Sequence, residues 1–170
     1  MKNQDATESF KKSLDEASSP RRLPPLLRRA WYGLNQAFRR RIAHLGLTPD
    51  QFTVLRTLLE ADPRGLTQIE LSRRMASDAN TITSLVRRMA SARLIRREPH
   101  QRDGRAIVLR VRPEGRRQYS KASAAARTLQ DEVLAAVPDT HLVEFLGLLG
   151  RIGDVCQAAA ESSPKGTRRR

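Results

Sequence analysis

Residues 66–91 read "LTQIELSRRMASDANTITSLVRRMAS" and predict two helices separated by a break of only two or three residues. Thr67 stands at the start of the first helix with Glu70 three positions later, which is the pattern of a capping box. On a helix that advances by about 100° per residue, Ile82 lies at the centre of an apolar stripe on the second helix. The other members of the stripe are Ala79, Leu85, Val86 and Met89. The second helix is therefore predicted to be buried on one side only.

The outer side of the second helix carries small hydroxyls, an amide and arginines. This mixture suits the base edges and phosphates that line a DNA major groove. Near the pole opposite Ile82, three residues are predicted to read bases: Asn80, Ser84 and Arg87. Thr81, Thr83 and Arg88 lie on the flanks of this face and are predicted to contact phosphates. Ser77, just before the helix, is also predicted to contact DNA. An ordinary solvated helix face has a similar composition, so the neighbours of the helix decide between the two readings.

A β-hairpin is predicted after the two helices. The runs "RLIRREP" and "RAIVLRVR" are rich in β-forming residues, and the turn-forming run "HQRDG" joins them. Arg102 and Arg105 at the tip can enter a minor groove, while Asp103 is expected to pair with an arginine and shape the loop. The alternative for this loop is a solvated turn. Two helices followed by a hairpin predict a winged helix-turn-helix, in a mainly α chain with a small β-hairpin wing.

Helical periodicity on both sides of this lobe predicts flanking helices. Pro24, Pro25 and Pro113 suit helix starts, and Thr48 can cap a helix that begins with Pro49. The last helix carries an apolar stripe that is wider than a lone terminal helix should expose; its members are Leu142, Val143, Phe145, Leu146, Leu148, Leu149, Ile152 and Val155. The expected organisation is a disordered or partly helical tail (1–22), a first flanking helix (23–47), the DNA-binding lobe (48–112), C-terminal flanking helices (113–160) and a basic disordered tail (161–170).

The charge of the chain favours a polyanionic partner. The formal net charge is +14, and residues 21–110 hold nineteen basic and seven acidic side chains, a net +12. Such a surface attracts nucleic acid and steers it toward the protein. A genome rich in G and C, which makes arginine common, is the other explanation of the composition.

Enzymatic, metal and membrane functions have little support in the sequence. The three histidines lie in different elements without metal-ligand spacing, and no phosphate loop, serine elbow or carboxylate pair is present. We expect no cofactor. The single cysteine, Cys156, excludes an intramolecular disulfide framework. No apolar run resembles a signal peptide or a membrane span, so a cytoplasmic protein is expected.

The stretch 66–115 resembles the MarR family of bacterial transcription regulators, and the similarity extends over roughly residues 26–160. Arg102, Asp103 and Arg105 match the wing motif of the family, in which His100 takes the place of an aspartate. Arg93 stands where glycine usually ends the recognition helix, and Arg112 where threonine usually caps the next helix. The resemblance implies a homodimer in which the flanking helices are dimerisation helices: the first dimerisation helix (23–47) and the C-terminal dimerisation helices (113–160). Each subunit places one recognition helix in a pseudo-palindromic operator, most often as a repressor.

The same resemblance implies release of DNA by a small aromatic or phenolic acid. Candidate ligand-binding residues on the first two helices are Trp31, Phe38, His44 and Phe52, although packing of the core is the favoured account of them. Cys156 lies in an apolar stretch and is expected to be a buried, inert thiol rather than a redox sensor. The function predicted is that of a sequence-specific, double-stranded DNA-binding transcriptional regulator. Two rivals remain, a non-specific architectural DNA-binding protein without effector and a protein-binding adaptor on the same scaffold.

Overall fold

A computed structural model of the protein describes residues 22–61, 64–100 and 106–162. Six α-helices and three short strands make up this part of the chain. The helices are α1 (Leu23–Ile42), α2 (Pro49–Leu59), α3 (Gln68–Arg74), α4 (Ala79–Ser91), α5 (Pro113–Leu134) and α6 (Asp139–Ser162). The strands are β1 (Leu66–Thr67), β2 (Ile95–Pro99) and β3 (Ile107–Val111), and a single 3-10 turn (Ala43–Leu45) follows α1. The predicted fold class, mainly α with a β-hairpin wing, is confirmed.

Side-chain caps fix the starts of α2 and α3. Thr48 accepts from the backbone N–H of Gln51, and the Gln51 side chain accepts from the backbone N–H of Thr48. Thr67 and Glu70 form the same reciprocal box at α3, as the sequence predicted. Each box satisfies two backbone N–H groups that the first turn of a helix leaves without a partner. The lobe therefore begins its helices at positions that the sequence defines.

The three strands form one antiparallel sheet in the order β1-β3-β2. The β2–β3 hairpin was predicted, and its register pairs Ile95 with Val111 and Pro99 with Ile107. Strand β1 was not predicted, because two residues in front of a capping box give no alternating pattern. It adds Leu66 opposite Leu109 and thereby ties the start of α3 to the hairpin.

The core of the lobe lies between the helices and the inner face of the sheet. Its largest fully buried side chains come from six of the nine helices and strands: Ile42, Val54, Leu55, Leu71, Ile82, Val86, Met89, Ile95 and Leu109. The apolar stripe of α4 is confirmed at Ile82, Leu85, Val86 and Met89, whereas Ala79 is exposed because it stands in the first turn, beyond the covering helices. Helix α4 is therefore buried in the core along one face.

Close packing explains why a glycine, Gly115, stands in the first turn of α5. A Cβ atom added to Gly115 would lie 2.2 Å from the carbonyl oxygen of Leu94 and 3.0 Å from Cδ2 of Leu55. No side chain can be placed there unless the backbone moves. Gly115 thus allows α5 to approach the start of β2.

Helix α6 buries none of its residues within the single chain. Most of its apolar stripe is exposed, and the side chain of Val143 is 86% exposed. The thiol of Cys156 is also exposed, so the expectation of a buried cysteine is wrong for the single chain, because no other element among the described residues covers this part of α6. Among the described helices, none is by itself both long and apolar enough to cross a membrane, and α5 with α6 passes that test only as a pair bent by 108°.

Candidate nucleic-acid interface

The outward pole of α4 presents exposed polar side chains. Asn80, Ser84 and Arg87 are exposed, and none of them makes a side-chain hydrogen bond or ion pair within the described parts of the chain. Arg88 on the flank of the helix is also exposed and also makes no side-chain hydrogen bond or ion pair within the described residues. Donors and acceptors in this state can be offered to a base edge without first breaking an internal bond.

The N-terminus of α4 is capped by Asp78. Its Oδ1 accepts from the backbone N–H groups of Asn80 at 3.0 Å and Thr81 at 2.9 Å. The Thr81 hydroxyl donates to Oδ2 at 2.5 Å. This hydroxyl bond, together with the backbone bonds, holds the pKa of Asp78 below its usual value. The Thr81 side chain, which the sequence assigned to phosphate, is therefore engaged in the cap.

Thr83 is held by two hydrogen bonds. The side-chain N–H of Gln68 at the start of α3 donates to the Thr83 hydroxyl oxygen over 2.6 Å. The hydroxyl in turn donates to the carbonyl of Ala79 over 2.7 Å. Gln68 thus joins the two helices of the motif on their outer side. Sequence reasoning missed Gln68, although its position directly after the capping threonine was a usable signal.

The turn between α3 and α4 also fixes Ser77. Its backbone N–H donates to the Ser72 carbonyl over 3.1 Å, and its carbonyl accepts from the Ser72 hydroxyl over 2.6 Å. The preceding Ala76 has a φ of +45°, in the left-handed region, which closes α3 in a Schellman-type turn. The Ser77 side chain is half-buried. These bonds hold the angle at which α4 leaves the turn.

Exposed arginines lie at the end of α4 and on the elements that precede and follow it in the sequence. Arg73 in the last turn of α3, Arg93 at the end of α4 and Arg97 on β2 are exposed and make no ion pair within the described residues. On the wing strands, by contrast, Glu98 pairs with Arg96 at 3.1 Å and with Arg110 at 3.0 Å. The predicted wing contacts Arg102, Asp103 and Arg105 lie outside the described residues, and their roles stay predictions.

The four candidate ligand residues occupy different environments. The buried rings of Phe38 and Phe52 meet edge to face with centroids 4.9 Å apart, and Tyr119 stacks on Phe52 at 5.0 Å. Trp31 is 64% exposed and His44 is exposed. The single chain therefore brings two of the four residues together, as core packing. Within the described ranges, no three His, Cys, Asp or Glu side chains are grouped so that they could hold a metal ion.

A scan of protein families matches residues 45–106, the lobe around α4, to the MarR family. A solved probable transcriptional regulator from Pseudomonas aeruginosa is 34% identical, with a TM-score of 0.65; the alignment covers 75% of this chain and 93% of that one. The chain belongs to the MarR family and is a DNA-binding transcriptional regulator of the winged helix-turn-helix class.

Other relatives have been described with a function or with a bound partner. An HTH-type transcriptional repressor of Mycobacterium tuberculosis is 27% identical over 112 residues, covering 66% of this chain and 79% of its own length. The Mycobacterium tuberculosis regulator MOSR, solved in complex with DNA, is 29% identical with a TM-score of 0.65, covering 77% and 95%. PcaV from Streptomyces coelicolor, solved with its natural ligand, is 26% identical with a TM-score of 0.67, covering 82% and 95%.

Proposed function

We propose that the protein is a homodimeric repressor that reads its operator with the outward pole of α4. The observation that carries this proposal is that Asn80, Ser84 and Arg87 are exposed and make no side-chain hydrogen bond or ion pair within the described residues. They stand on a helix that is capped at its start and buried along its other side. A helix held in this way presents its polar groups at fixed positions. The repressors and the DNA-bound regulator among its relatives support the same assignment.

The dimer is proposed from α6. Its exposed apolar side chains form a patch that a monomer in water would not keep uncovered. A second copy of the chain that interlocks with α1 and α6 would cover it and place two α4 helices on a pseudo-palindromic site. Analytical ultracentrifugation tests this proposal: the parent chain should sediment as a dimer, and Leu149→Asp should not. The site of action would be the chromosome in the cytoplasm.

The operator assignment is tested by selecting bound fragments from the host genome and then measuring affinity by fluorescence anisotropy. Arg87→Ala should lose discrimination at particular base pairs, worth about 1–3 kcal/mol if the contact to guanine is bidentate. Arg105→Ala in the wing should weaken binding to all sequences evenly. Arg151→Ala on α6 serves as the control for loss of charge. Unchanged binding by both of the first two variants would remove the recognition-helix and wing assignments.

An architectural DNA-binding protein is the rival, and it needs only positive charge. It predicts a steep dependence on salt with no preference for any genomic fragment. The polar pole of α4 favours sequence reading instead.

A relative solved with its natural ligand supports release by a small effector, for which an aromatic or phenolic acid is the proposed class. Unchanged melting temperature and operator affinity with every such acid would remove the effector from the proposal.

A further inference from the structure

Helix α1 carries a basic face outside the DNA-binding lobe. No acidic residue stands between Arg22 and Pro49 in the sequence. Five arginines on α1 and at the position before it are exposed, and none makes an ion pair or side-chain hydrogen bond within the described residues: Arg22, Arg28, Arg29, Arg39 and Arg40. At about 100° per residue they share about 120° of the helix circumference. The side chain of Tyr32, which is 59% exposed, lies among them.

An arginine-rich composition does not by itself account for this face. Helix α5 of the same chain mixes Glu114, Asp131 and Glu132 with its basic residues, and α6 carries four acidic side chains and one arginine. Arg41 at the end of α1 is half-buried and forms an ion pair with Glu132 of α5. The exposed arginines of α1 have no such neighbour among the described residues and repel one another, so an anionic partner would stabilise them.

The basic face of α1 and the outward pole of α4 are separate surfaces. Phe38 and Ile42 on the other side of α1 are buried in the same core as Ile82 of α4. Helix α1 packs against α2 and α5, whereas α4 packs against α3 and β2. Each helix therefore turns its polar side away from the shared core at a different place on the molecule.

We propose that the basic face of α1 binds the phosphate backbone of a second DNA duplex, so that the protein bridges two segments of DNA. A duplex carries one phosphate per about 1.7 Å of its axis, and guanidinium groups bind phosphate through paired N–H donors. The basic face is about 27 Å long from Arg22 to Arg40, at about 1.5 Å per residue, so it can follow several phosphates.

Two other kinds of partner fit the face less well. A lipid surface would require the apolar side of α1, where Phe38 and Ile42 are already buried in the core. The centre of a protein–protein interface is depleted in charged residues, whereas the exposed side chains of this face are mainly arginines. Backbone binding of DNA requires only positive charge at this spacing.

The test is capture of a second duplex by the full-length protein at low salt. One short DNA duplex is attached to streptavidin beads, and a fluorescent duplex of unrelated sequence is supplied after the protein. The parent chain should retain the fluorescent duplex on the beads. Arg29→Gln/Arg40→Gln should lower this capture about tenfold, since lost phosphate contacts weaken backbone binding. Its affinity for a single short duplex, read by fluorescence anisotropy, should change less than about twofold, because the α4 surface is untouched.

Two matched variants control the measurement. Arg29→Lys/Arg40→Lys keeps both charges and should capture the second duplex nearly as well as the parent. Arg127→Gln/Arg151→Gln removes two exposed charges from α5 and α6 and should leave capture within about twofold of the parent value.

Three results would overturn the proposal: no capture of the fluorescent duplex by the parent chain, equal capture by the parent and Arg29→Gln/Arg40→Gln, or an equal loss in both glutamine variants. Absent capture, together with weaker binding of one long duplex by Arg29→Gln/Arg40→Gln, would assign the face to the flank of the same duplex and also overturn it. Because binding of a single duplex is measured separately, failure of the operator assignment to α4 is distinguishable from failure of this proposal.

Discussion

Arg93 at the end of α4 adopts a backbone conformation that costs an L-residue free energy. Its φ is +59°, and the turn it closes is a Schellman motif, with N–H bonds from Arg93 to Ala90 at 3.0 Å and from Leu94 to Met89 at 3.0 Å. Glycine adopts this conformation without strain. We therefore predict that Arg93→Gly stabilises the protein, although it removes a long side chain.

The size of the effect follows from two opposing terms. Relief of the left-handed conformation contributes about 1–2 kcal/mol. The greater freedom of glycine in the unfolded chain offsets about 0.4–1 kcal/mol of that gain. The expected net stabilisation is about 0.5–1 kcal/mol, which corresponds to a melting temperature higher by about 1–4 °C in a chain of this size.

The matched control is Arg93→Ala, which removes the same charge but keeps the Cβ atom and the strain. Urea unfolding at fixed protein concentration, read by circular dichroism, should place the midpoint of the glycine variant above both the parent and the alanine variant. Both variants should lose DNA affinity equally at low salt, with a salt slope shallower by about one if the arginine contacts a phosphate. A glycine variant no more stable than the alanine variant would refute the strain argument.

Three further predictions concern the elements around α4. Gln68→Ala and Thr83→Val should show a coupling free energy of about 0.5–1.5 kcal/mol in a double-mutant cycle on operator affinity, since each variant removes the same hydrogen bond. Simple additivity of the two losses would show that this hydrogen bond does not contribute to affinity. Gly115→Ala should destabilise the chain by about 1–3 kcal/mol in urea, because the new methyl overlaps the Leu94 carbonyl, and an unchanged midpoint would contradict that packing. Since the pKa of Asp78 is lowered on folding, its charged form stabilises the chain above the unfolded pKa, and this contribution disappears as pH falls through the folded pKa. Asp78→Ala should accordingly lower the melting temperature more at pH 7 than near pH 3, and an equal loss at both would argue against a charged cap.

Most of the lobe could be predicted from sequence, because local signals there agree with the fold. The capping box at Thr67 and the apolar spacing around Ile82 define α3 and α4 without reference to distant residues. Strand β1 escaped prediction because Leu66 pairs only with Leu109, forty-three positions later, and no local pattern encodes such a pairing. The exposure of Cys156 was also missed, because an apolar stretch does not reveal whether the same chain covers it.

The candidate site was likewise predictable only in part, where local helical spacing determines the property. Helical spacing was enough to place Asn80, Ser84 and Arg87 on the outward pole. It could not show that the flanking hydroxyls of Thr81 and Thr83 are already bonded, since those bonds depend on the rotamers of Asp78 and on Gln68 in another helix. Spacing therefore gave the direction of a side chain but not its hydrogen-bonding state.

That state sharpens the proposed readout of DNA. A hydroxyl that already donates inside the protein must give up that bond, at about 0.5–1.5 kcal/mol, before it can donate to a phosphate. Thr81 and Thr83 remain able to accept, but a phosphate oxygen offers no donor, so their direct contribution to phosphate binding is small while these bonds persist. Positioning is the better account of both residues: Thr81 strengthens the cap, and Thr83 with Gln68 holds α4 against α3. In the proposed readout, discrimination between bases then rests on Asn80, Ser84 and Arg87, whose side chains have no hydrogen bond or ion pair to break within the described residues.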